Sequence, residues 1–145
     1  MKILIAPNAF KNSLDAPQVA NAIETGLRLS RLVCTTVCFP IADGGDGTGS
    51  LIVGTRKGTI IQREVKDPLG RNIKASFGLI DHRQTAVIEM ADASGLRLLK
   101  KDELDPLQAS SFGTGELIRF ALDEGVSKLL LLWAARQPWM AAAGY

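Results

Sequence analysis

The chain opens on a pattern that few folds accommodate: a short apolar run, a capped amphipathic helix and a second apolar run. Lys2-Ile3-Leu4-Ile5-Ala6 ends at Pro7 and reads as a buried strand. Asp15 stands where a helix cap is needed, Pro17 falls in the first turn, and Gln18 is placed for the reciprocal bond of a capping box. Val19, Ile23 and Leu27 then recur every four residues, which is one helical face. Leu32 to Phe39 is a second strand. Parallel neighbours need a crossover, so this order predicts an α/β layer fold with parallel strands.

After Gly58 the pattern changes. Thr59 to Val65 and Ile73 to Leu79 read as a hairpin, joined by Asp67-Pro68-Leu69-Gly70 with Pro second and Gly fourth in the turn. Thr85 to Met90 is another strand, Leu104 to Ser111 is irregular, and Gly113 to Gly125 is a helix with Leu117, Ile118, Ala121 and Leu122 inward. Gly125 is placed to end it and Lys128 to Leu132 is an apolar strand. The expected organisation is an α/β unit over 1–58, part of a second, mixed α/β unit over 59–132, and an aberrant tail over 133–145.

Composition excludes several classes. The 145 residues are 46% hydrophobic and 22% charged, as an ordinary globular domain is. A net charge of +2, scattered along the chain, gives no footprint for nucleic acid. No apolar run is long enough to span a membrane and no secretory leader is legible, so a cytoplasmic location is expected. Cys34 and Cys38 lie four apart on a strand, roughly 13 Å, against the ~7 Å limit for a disulfide. Plain thiols are expected there.

Two loops can carry chemistry. Asp43-Gly44-Gly45-Asp46-Gly47-Thr48 follows a strand and opens a short helix through Leu51 and Val53. Its glycines let backbone approach a ligand, helix amides favour an anion, and its carboxylates suit Mg²⁺ beside a phosphate. The alternative is a tight turn with solvated aspartates. Ser110-Ser111-Phe112-Gly113-Thr114-Gly115-Glu116 offers hydroxyls and amides at another helix start, or an ordinary cap. Neither is a Walker A loop or a Rossmann fingerprint. Lys11, in the loop after the first strand, can hold a phosphate or carboxylate, or be a surface lysine. Glu89 among apolar residues is a paired buried acid or a site residue, and His82 belongs in an exposed turn.

Taken together, five segments resemble the bacterial glycerate kinase family in order and register. They are the stretch from Lys2 to Leu14, Pro40 to Thr48, Asp67 to Gly70, Ala86 to Leu96, and Ser110 to Ile118. The likeness covers about residues 1 to 131 and is similar to the family's N-terminal part. It implies two α/β domains, the first a parallel-sheet, flavodoxin-like one, with the active site between them. It also implies ATP- and Mg²⁺-dependent phosphorylation of D-glycerate to phosphoglycerate, in close relatives 2-phosphoglycerate. In that reading Lys11 and Asp43 are catalytic, and Asp43 and Asp46 are metal ligands. Asn8, Gly44, Gly45, Asp46, Gly47, Thr48, Ser111, Gly113, Thr114 and Gly115 would hold substrate and phosphate. The resemblance gives no oligomeric state.

The chain departs from the family pattern at Asn8, where Asp is usual, at Ala9 in place of Ser, and at Asp46 in place of Glu. After Leu132 the likeness stops. Reading the codons of Trp133 to Gly144 from their third base gives Gly first, then positions open to small residues, then an obligatory Asp-Gly. The family's next loop has that order, so a frameshift near codons 131 to 132 and an early stop are expected. The chain is then expected to be incomplete relative to the family, poorly soluble or partly unfolded, with little or no kinase activity. The alternative is a non-catalytic anion-binding fragment or one half of a split enzyme.

Overall fold

A computed structural model describes residues 1–10, 13–42, 44 and 47–133. The order is β1 (Lys2–Ile5), α1 (Ala16–Leu29), β2 (Thr35–Cys38), α2 (Thr48–Thr55), β3 (Thr59–Lys66), β4 (Asn72–Ile80), β5 (Thr85–Glu89), α3 (Ala91–Ser94), α4 (Phe112–Asp123) and β6 (Lys128–Leu132). Short 3₁₀ turns at Leu96–Leu98 and Lys101–Glu103 lie between α3 and α4. The expected frameshifted tail, from residue 134 onward, lies outside the described residues.

The first compact unit ends at residue 43, earlier than the boundary expected after Gly58. In it β1 and β2 pair in parallel, Lys2 with Thr35 through Ile5 with Cys38. The capping box forms as the spacing predicts: Asp15 Oδ1 accepts the Gln18 amide at 2.7 Å and Gln18 Oε1 accepts the Asp15 amide at 2.9 Å. Helix α1 buries Ala16, Val19 and Ala20, whereas Ile23, on the same stripe, stays 42% exposed. Two four-residue strands are too short to cover the whole helix. Leu4 and Val37, partners in register, are both exposed. Cys34 and Cys38 are free thiols, both half-buried, and burial followed by the Glu24 charge raises the Cys38 thiol above its ordinary value.

The second unit is a four-stranded sheet in the order β3-β4-β5-β6. The β3–β4 hairpin is antiparallel from Thr59 opposite Leu79 to Lys66 opposite Asn72. Its turn is fixed by Asp67, which is buried. Asp67 Oδ1 accepts the amides of Leu69 at 2.9 Å and Arg71 at 2.8 Å, and Oδ2 accepts Arg71 Nε at 2.5 Å. Strands β4 and β5 are antiparallel; β5 and β6 are parallel, with α3 and α4 in the crossover. Asp81, His82 and Arg83 all have positive φ in the exposed β4–β5 turn, as the turn reading of His82 requires.

Alternation along the strands sends side chains to two faces. On one, Ala75, Phe77, Leu79, Ala86 and Ile88 pack with Val65 against Ala93 of α3 and Leu117 and Ala121 of α4. On the other, Ile80 and Val87 pack with Val53 of α2. Among the described residues strand β6 is an edge, and Leu129, Leu130 and Leu131 are all exposed on it.

Candidate functional site

The glycine loop enters α2 through Gly47, whose φ of +88° is left-handed and whose place at the cap supplies no side chain to the helix amides. Strand β5 supplies the missing acceptor. Glu89 ends that strand on the face that α2 covers and is 6% exposed. Its Oε1 accepts the Gly47 amide at 2.8 Å and its Oε2 accepts the Gly49 amide at 2.9 Å. A carboxylate at a helix start is favoured by the macrodipole as well as by the two bonds. Of the two readings open for Glu89, the structure realises the paired buried acid. Gly49 makes a close approach: a Cβ there would lie 3.0 Å from Glu89 Oε2, tight enough that the carboxylate would have to give, and 3.5 Å from Leu132 Cδ1. Thr48 is buried beside them.

The same corner holds Ser76 of β4 and Asp92 of α3. Ser76 Oγ donates to Asp92 Oδ2 at 3.3 Å, and Asp92 also pairs with Arg97. These residues line a shallow hollow with Gly49, Ser50, Val53, Ile60, Phe77, Val87 and Glu89. It opens beside the C-terminal end of β5, where Met90 continues the pairing by donating its amide to the Leu132 carbonyl. Open α/β sheets bind ligands at such strand ends.

The second loop is stitched into the fold. Gly113 meets β3 so closely that a Cβ would fall 1.7 Å from the Lys66 carbonyl oxygen. Glu116 Oε2 accepts the Lys66 amide at 2.7 Å, and the buried Thr114 and Ser94 hydroxyls share a 2.7 Å hydrogen bond. Ser110 Oγ accepts the Phe112 amide, and the Ser111 carbonyl accepts those of Thr114 and Gly115. Ser111 and Gly115 face solvent. Asn8 is exposed in the first unit, its Oδ1 accepting the Ala9 amide at 2.7 Å. Gly44, also at a φ of +88°, has open space where a Cβ would stand. Lys11, Asp43, Gly45 and Asp46 lie outside the described residues.

Among the described residues no group of three or more His, Cys, Asp or Glu could hold a metal ion. Glu89 is engaged by amides and Asp92 by Arg97 and Ser76. The described residues therefore do not furnish a Mg²⁺ set. Among the same residues, no helix is long and apolar enough to cross a membrane.

A mixed sheet covered on both faces, with a glycine loop opening a helix at a strand's C-terminal end, defines an α/β protein of the kind that binds small molecules at strand ends. The family model for the glycerate kinase family matches residues 3–132, and the chain belongs to that family. The match ends at the residue where the sequence likeness stops. A glycerate kinase of Haemophilus influenzae is 48% identical over 131 residues, 90% of this chain and 35% of that one. A glycerate 2-kinase of Escherichia coli is 44% identical, over 90% of this chain and 34% of its own. A crystal structure from Salmonella typhimurium LT2, provisionally assigned as glycerate kinase 2, superposes with a TM-score of 0.74 at 44% identity. It is matched over 94% of this chain and 36% of that one. The chain thus spans about a third of the length of the curated relatives it matches.

Proposed function

We propose that this chain supplies part of the machinery that transfers a phosphoryl group from ATP to D-glycerate in the cytoplasm. The observation that carries the reading is the family match over residues 3–132, which contains both glycine loops. The name of the Escherichia coli relative supports the 2-hydroxyl as acceptor and 2-phosphoglycerate as product. Phosphoryl transfer needs positioning and charge neutralisation more than covalent chemistry. Lys11 is the cation for the transferred phosphate, and Asp43 and Asp46 are the carboxylates for Mg²⁺, which would lessen the phosphate charge when bound. Asn8, Ser111 and Gly115, all exposed, are available to substrate oxygens. Gly44, Gly45, Gly47 and Thr48 are the loop residues for the phosphate side, while Gly113 packs the second loop on Lys66 of β3 and Thr114 ties it to Ser94 of α3.

A chimera tests this. Residues 1–132 would replace the matched segment of the Haemophilus influenzae relative. Glycerate-dependent ADP formation is expected, with kcat falling at least tenfold on Lys11→Ala. A folded chimera without glycerate-dependent turnover would sink the reading.

A further inference from the structure

Among the described residues, Glu89 is the buried acid on the α2 face of the sheet whose bonds reach a loop that the family reading assigns to substrate. Three facts converge on it. Gly47, at the helix cap, brings no side-chain acceptor of its own. Glu89, from a strand 40 residues on in sequence, spans the amides of Gly47 and Gly49 with one oxygen each. Gly49 leaves room for that carboxylate and for little more, since a Cβ would stand 3.0 Å from it.

We infer that Glu89 is a positioning residue: an internal carboxylate that fills the amide cradle at the start of α2 and fastens the glycine loop to the C-terminal end of β5. The cradle is therefore a clamp, and the phosphate of a nucleotide or of phosphoglycerate is held by other groups. This rests on the kinase reading only for what the loop serves.

The test is amide hydrogen exchange on the full chain, with β3–β4 amides as the control for global folding. In the wild type the Gly47 and Gly49 amides exchange slowly, and inorganic phosphate shifts neither resonance. Glu89→Gln keeps the shape but turns a donor toward one of the two amides. At least one of them then exchanges roughly tenfold to a hundredfold faster, the scale of a hydrogen bond to a charged acceptor. In Glu89→Ala, formate restores protection at both amides saturably, which loss of packing alone would not allow. Unchanged exchange in Glu89→Gln, no formate effect in a folded Glu89→Ala, or a phosphate shift at Gly47 and Gly49 in the wild type would each overturn the inference. None of these readouts needs turnover, so an inactive chimera would count against the kinase reading and leave the clamp standing.

Discussion

The two units of the chain carry the same strand–helix grammar and reach different degrees of closure. In the first, β1 and β2 have α1 on one face, while Leu4 and Val37 remain open on the other. In the second, β4 and β5 are covered on both faces, by α3 and α4 on one side and α2 on the other. Parallel strands are stable where both faces are covered. The comparison teaches that an apolar stripe sets which element forms, whereas the neighbours set how much of the stripe is buried. Val19 and Ile23 share a stripe, yet only Val19 is buried.

Truncation in the core should show the widest gap between the units. Leu117→Ala, in the middle of the larger cluster, is expected to cost about 3 kcal/mol, and Val19→Ala in the first unit about 1 kcal/mol, in urea denaturation. Equal losses would break the comparison.

The buried turn at Asp67 gives a pH-dependent version. Burial alone would raise this carboxyl, but the Arg71 amide and guanidinium and the Leu69 amide outweigh it and hold the group below its ordinary value. A depressed folded value contributes stability above the unfolded value of about 3.9, and that contribution is lost as pH falls through the folded one. Asp67→Asn should therefore cost about 2 kcal/mol at pH 7, with the two denaturation curves converging in stronger acid. A gap that persists unchanged to pH 2 would show that charge is not the cause.

Gly49→Ala comes next, at about 1.5 kcal/mol, because the added methyl must push back the Glu89 carboxylate or the Leu132 side chain. Its signature is faster exchange at the amides of Gly47 and of position 49 with little change in β3. The smallest expected effect is Asp15→Ala in the first unit, about 1 kcal/mol from the lost cap, read as fraying at the start of α1. If that loss matched the effect of Leu117→Ala, local capping rather than core size would govern the first unit.

Local features were legible in the residues. The capping box, the Asp67-Pro68-Leu69-Gly70 turn, the hairpin strands and β6 all stand where period and turn chemistry put them. Helix α3 was not, because four residues carry no period. Nor was the company of Glu89, because its bonds join segments 40 residues apart. A signal existed in two complementary deficits. A lone acid in an apolar strand needs donors, and a helix that starts on glycines needs an acceptor. Gly113 and Thr114 fit a ligand loop by residue type, yet what occupies their atoms is Lys66 and Ser94, which only the fold brings near.

Strand β6 has a consequence for handling the protein. Among the described residues its outer rim is unpaired, and Lys128 is the one charge ahead of four leucines. Such a rim is a template for strand addition by another molecule. Turbidity should then grow with protein concentration rather than with the unfolded fraction, and appear in samples that are still native by circular dichroism. A gatekeeper charge introduced by Leu130→Lys would delay it without touching the glycine loop.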